Sequence, residues 1–145
     1  MELHIQVHYV LGQANDLRML GDLHMQRDKP DKAEEMFTRA LELHTQAQDI
    51  LGQANDLQRL GGMHMQRDHL DQAEEVLTRA LELHTQAQDV LGQANDLGTL
   101  GDLHMRRDNL DKAEQTFTSA LELHTQAQCV LGQANDPNCM GDVQM

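Results

Sequence analysis

The chain has no tryptophan, one tyrosine and two phenylalanines among 145 residues, so aromatic side chains make up 2% of it. That leaves no set of aromatic platforms on which the bases of a single strand could stack. Basic residues are scarce as well: 11 Lys and Arg stand against 24 Asp and Glu, for a formal charge of −13. Such a surface repels phosphate backbones, and nucleic acid is excluded as an expected partner. The only cysteines, Cys129 and Cys139, lie ten apart near the end of the chain and make no disulfide framework. Free thiols and a reducing, cytoplasmic setting are expected. No apolar run approaches the length of a membrane span, and the opening MELHIQVHYV lacks the basic and apolar segments of a signal peptide. Gly-x-Ser-x-Gly, Walker, Cys-x-x-Cys and His-Glu-x-x-His motifs are missing too. The expectation is a protein that is not an enzyme, needs no cofactor and does not contact a membrane.

What the sequence has in abundance is copies of itself. The hexapeptide LGQAND stands at 11–16, 51–56, 91–96 and 131–136, and residues 11–50 match 51–90 at 30 of 40 positions. Residues 51–90 match 91–130 at 28 of 40. Forty residues bury too little surface to fold alone. Units of this size gain their order by stacking, which makes a fixed period of this length the mark of a solenoid.

Each period carries two helical patterns. Leu17, Leu20, Gly21 and His24 fall at i, i+3, i+4 and i+7, on one face of a helix from about Leu11 to Arg27. Ala33, Phe37, Ala40, Leu41 and His44 mark a second helix from about Asp31 to Ala47. Asp31 followed by Glu34, repeated as Asp71/Glu74 and Asp111/Glu114, predicts a capping box at its start. The short links RDKPD, RDHLD and RDNLD force an antiparallel turn, and Pro30 suits a helix start. Asp49 and Asp89 precede LGQAN and are expected to cap the first helices. With no strand signal anywhere, the fold class is all-α: an alpha-alpha superhelix of antiparallel helix pairs.

The pattern Leu17-x2-Leu20-Gly21-x2-His24-x8-Ala33-x3-Phe37-x2-Ala40 resembles the tetratricopeptide repeat, W-x2-L-G-x2-Y followed by A-x3-F-x2-A. It returns as Leu57, Leu60, Gly61, His64, Ala73, Leu77, Ala80 and as Leu97, Leu100, Gly101, His104, Ala113, Phe117, Ala120. The small residues let the paired helices approach closely. The period of forty resembles the longer variant of Pins-type spindle-orientation scaffolds and of repeats attached to NACHT or NB-ARC sensor ATPases. Leucine and histidine replace the motif's aromatics, and Thr45, Thr85 and Thr125 replace its terminal proline, so the second helix is expected to run on by about a turn.

The organisation that follows is one array: a partial helix at 1–10, repeats at 11–50, 51–90 and 91–130, and an unpaired helix at 131–145 interrupted by Pro137. Residues 1–10 align with 41–50 and read as the tail of a second helix. Neither end has a polar capping helix. Three outcomes stay open at the ends: a piece of a longer array without activity of its own, ends that fray, or chains that join head to tail as homo-oligomers.

Nine histidines raise a metal reading, which the geometry disfavours. Equivalent histidines of adjacent repeats lie about 10 Å apart or more, too far to share a zinc ion. His4 and His8 are spaced i, i+4 without an acidic or cysteine companion. His24, His64 and His104 are expected to pack between helices, and their protonation to destabilise the array below about pH 6. Met25, Met65 and Met105 read as packing residues.

The surface left for function is the second face of the first helices, which the resemblance assigns to ligand contact on the concave wall. It carries Asn15, Arg18, Met19, Asp22 and Gln26, then Asn55, Gln58, Arg59 and Gln66, then Asn95, Thr99, Asp102 and Arg106. Within the first helix, three of the four differences between copies one and two fall on this face. Asn15, Asn55 and Asn95 do not vary and form a candidate amide ladder for a peptide backbone. Asp22 and Asp102 interrupt the arginines, so a clamp for a peptide C-terminus is not expected. The function this implies is a scaffold that binds a peptide or helix of another protein in its groove. Self-assembly through the chain ends is the alternative.

Overall fold

The computed structural model describes residues 2–130, with side chains from Gln6 to Gln128. Six α-helices follow one another: α1 (Glu2–Gln26), α2 (Pro30–Gln46), α3 (Ile50–Gln66), α4 (Leu70–Gln86), α5 (Val90–Arg106) and α6 (Leu110–Val130). Among the described residues there is no strand, and no helix is long and apolar enough to cross a membrane. The expected solenoid of helix pairs is the observed one. Expectations for 131–145, including Pro137 and Cys139, and for the side chains of His4 and Cys129 lie outside the described residues.

The period of forty has a simple origin. Each of α2 to α5 has 17 residues, and each turn takes three. All five turns place a non-glycine residue in the left-handed region: Asp28, Gln48, Asp68, Gln88 and Asp108, with φ of 59–60°. Around Gln48, the amide of Asp49 donates to His44 O (2.9 Å) and that of Gln48 to Thr45 O (3.1 Å). This is the paired closure of a Schellman motif, which satisfies carbonyls the helix end leaves open. Asp49 then caps α3 by accepting from Gly52 N at 3.0 Å, and Asp89 caps α5 through Gly92 N at 3.1 Å.

Residues 2–10 are not the tail of a separate helix. They continue into α1, and α6 likewise runs through 127–130. Tyr9 and Cys129 occupy the places of Asp49 and Asp89. Without a side chain to accept the first amides of a new helix, the chain has no local reason to break. The capping box at Asp31/Glu34 is also corrected. Pro30 takes the first turn, Lys29 becomes the N-cap without a side-chain bond, and Asp31 falls inside α2.

The helix pairs pack through small residues facing large ones. A Cβ on Gly101 would meet the Phe117 ring at 2.6 Å, and Gly21 and Gly61 face Phe37 and Leu77 in the same way. The glycines thus make room for the second helix's largest side chain. One core cluster joins Phe37 of α2 to Leu57, Leu60 and Met63 of α3, and the next joins Leu77 of α4 to Leu100 and Leu103 of α5. Both lie across repeat boundaries, as stacking requires.

Candidate protein-interaction face

The backbones of the first helices approach one another in series, α1 to α3 and α3 to α5, whereas those of α2, α4 and α6 stay farther apart. The array therefore curves with α1, α3 and α5 on its inner wall. Between α3 and α5 this wall holds an open groove of about 530 Å³, lined by Gln58, Arg59, Asn95, Gly98, Thr99 and Asp102, with His124 at one end. Five residues expected on the binding face meet there: Gln58, Arg59, Asn95, Thr99 and Asp102. Asn15, Met19, Gln26 and Gln66 are exposed on the same helices but outside this groove, and Arg18 and Asp22 are half-buried.

Several of these side chains already have intramolecular partners. Arg59 Nε lies 3.3 Å from Asp22 Oδ1, tying α3 to α1. Arg106 donates to the carbonyl of Met65 at 2.6 Å. The Asp22 carboxylate offsets the charge of Arg59, and Arg106 commits a donor to a neutral carbonyl, so both guanidinium groups that a carboxylate clamp would need are already engaged. The proposed ladder of asparagines is likewise incomplete, because the amide oxygen of Asn55 faces His84 Nε2 at 3.0 Å, while Asn95 stays exposed. Gln58 donates to Asp96 Oδ1 at 3.0 Å.

Those last two bonds lead to a buried network that periodicity within a helix did not reveal. His44 and Asp56 are fully buried and joined through Nδ1 and Oδ2. His84 and Asp96 repeat the arrangement, Nδ1 to Oδ2, at 2.5 Å. The histidine comes from a second helix and the aspartate from the next repeat's first helix, so each pair is a joint between repeats. A Cβ at Gly52 would sit 2.6 Å from His44 Cγ, and one at Gly92 equally close to His84. Four letters of the hexapeptide now have a reason: glycine admits the preceding histidine, alanine packs with no exposed surface, asparagine steadies the following histidine at Asn55, and aspartate binds the preceding one. Where the joint is incomplete, the same residues are exposed: Asp16 on α1 and His124 on α6.

Burial sets the electrostatics of these joints. It pushes the Asp56 carboxyl from 3.8 up to about 6, against the opposing pull of its hydrogen bond to His44, the charge of His44 and that of Arg18. Asp96 is raised for the same reason, with His84 and Gln58 pulling the other way. The second histidine set behaves differently. His64 and His104 are buried, His24 half-buried, and burial holds His64 and His104 below the usual 6.5. Met25 and Met65 pack into the core clusters, while Met105 is exposed.

The clamp that replaces the expected capping box also crosses repeats. Arg67 lies 2.9 Å from Asp31 and 3.8 Å from Glu34 of the preceding repeat. Arg107 bonds Asp71 and, at 2.7 Å, Glu74. Its hydrogen bond holds Glu74 below the ordinary glutamate range.

No curated protein matches the sequence. A family model described as tetratricopeptide repeat matches residues 53–126, and a second with the same description matches 17–51. These matches, the helix pairs and the glycine-to-ring packing agree, and the chain belongs to the tetratricopeptide repeat family.

Proposed function

We propose that the groove between α3 and α5 binds an extended peptide or a helix of a partner protein. Tetratricopeptide repeats generally mediate protein–protein interaction. The observation that carries the reading is the floor and rim of this groove. Asn95 and Asp102 are exposed beside Gly98, where an added Cβ would meet nothing within 4 Å. A partner backbone can therefore lie close to α5, with amides within reach of Asn95 and a basic or polar side chain opposite Asp102. The joint residues of LGQAND are identical in every copy, whereas positions 58, 59, 62 and 66 all differ from their counterparts in 91–130. The framework is held constant while the inner face changes.

Filling the floor tests this directly. Gly98→Leu places a side chain in the groove without touching the core. In a pull-down from a cytoplasmic extract, the variant is expected to lose proteins that the wild type retains, with its circular dichroism unchanged. Equal recovery by wild type and variant would exclude this groove.

A further inference from the structure

The two open faces of the array carry the two halves of its internal joint. On α1, Asp16, Leu20, Leu23 and Arg27 stand at the positions of Asp56, Leu60, Met63 and Arg67. Inside the array those positions are covered by the preceding repeat: Leu60 is 6% exposed and Met63 1%. On α1 the counterparts Leu20 and Leu23 are 43% and 38% exposed. Leu20 borders a groove of about 330 Å³ formed with α2 and lined also by Gln13, Asp16, Leu17, Arg39 and Leu43. In the next repeat Gln53, Asp56, Leu57 and Leu60 are all buried.

The opposite face, on α6, presents what that groove lacks. Asp111, Glu114, Leu121 and His124 stand where Asp31, Glu34, Leu41 and His44 stand on α2. Leu121 is 66% exposed and Leu110, the counterpart of half-buried Leu70, is 61% exposed. Asp111, Glu114 and His124 are exposed as well. Each group on one face thus has its internal partner's counterpart on the other: carboxylates for Arg27, an imidazole for Asp16, leucines for leucines.

We propose that α6 of one copy docks on α1 of a second, joining chains head to tail through the same contacts that join repeats. In this arrangement Asp111 and Glu114 receive Arg27, His124 pairs with Asp16, and Leu110 and Leu121 cover Leu20 and Leu23. The uninterrupted ends suit it. The first nine residues of α1 and the last four of α6 both continue straight where an internal joint would turn, so the overhangs run antiparallel, bringing exposed Val7 and Tyr9 into reach. The interface is heterologous and does not close on itself, so it yields short rods rather than a symmetric dimer. It uses the end faces and meets the α3–α5 groove only at His124.

The test is mass in solution at physiological salt, by sedimentation or light scattering. Wild type is expected to exceed the 16.4 kDa of one chain as its concentration rises towards about 1 mM. Leu20→Glu/Leu23→Glu blocks the α1 face, and Leu110→Glu/Leu121→Glu blocks the α6 face. Each alone is expected to remain a single chain, and their equimolar mixture to give a species of twice the mass and no larger. Wild type that stays at the mass of one chain throughout would overturn the proposal. Continued self-association of either variant would overturn it too, by showing that another surface is used. Should a variant fail to fold, the wild-type concentration series still decides.

Discussion

Two glycines of α5, six residues apart, should respond to the same substitution with opposite signs. Alanine is favoured over glycine in a helix interior by about 1 kcal/mol. At Gly98 nothing lies within 4 Å of the added Cβ, so Gly98→Ala should raise stability by about that amount. At Gly92 the Cβ would fall 2.6 Å from Cγ and Nε2 of His84. That ring has no exposed surface and is held by Asp96 at 2.5 Å and Asn55 at 3.0 Å. It cannot swing aside without breaking both bonds and leaving Asp96 buried with only Gln58 as partner. Breaking a buried pair costs about 3–5 kcal/mol. After the helix-propensity gain, Gly92→Ala should be destabilised by roughly 2–4 kcal/mol. Urea titration of both variants and wild type, followed by circular dichroism, reads the two midpoints against a common slope. The reasoning is refuted if Gly92→Ala unfolds at the same urea concentration as Gly98→Ala, or a higher one.

Two further outcomes follow from particular groups. His64 and His104 titrate below 6.5 in the fold, so their contribution is complete above that pH and is lost as pH falls through their folded values. Asp56 has the opposite sign: its buried charge is a burden above about pH 6 that protonation relieves as pH falls towards 3.8. Asp96 is raised in the same direction. Thermal melts of wild type should therefore change little between pH 6.5 and 4, while Asp56→Asn/Asp96→Asn should lose stability steadily on acidification; parallel profiles would contradict this. Gln48→Gly should raise the melting temperature, because φ of 59° places a Cβ in a conformation that costs about 1–2 kcal/mol. Glycine's greater freedom when unfolded returns part of that gain, leaving about 0.5–1 kcal/mol, and an unchanged or lower melting temperature would show the turn to be unstrained.

The solenoid was legible because its signals are local and repeated. Helical spacing placed α2 to α5 within about a residue of their observed bounds, and Asp49 and Asp89 cap as expected. The joints were not legible by that route, because i, i+3 and i+4 spacing reports only which residues share a helix. His44 and Asp56 lie twelve apart across a turn, and their signal was the identity of both residues in every copy. The single pattern Asp31-x-x-Glu34 fits either a local cap or a remote arginine clamp. Pro30 and the Arg67 of the next copy decide for the clamp. The unbroken helices α1 and α6 depend on one missing aspartate each, Tyr9 and Cys129 standing in its place. Of the binding face, position on the inner wall was readable. The engagement of Asn55, Gln58 and Arg106 by neighbouring helices was not, since each partner lies in a different helix.

A double-mutant cycle on His84 and Asp96 interrogates the joint without intermediaries. His84→Ala, Asp96→Ala and the double variant are each unfolded in urea, and the coupling is taken from the four free energies. If the pair binds one repeat to the next, either single change strands a buried polar partner, and the double change should cost about 1–3 kcal/mol less than the two singles together. Costs that add to within about 0.5 kcal/mol would mean that the imidazole and the carboxylate merely sit side by side.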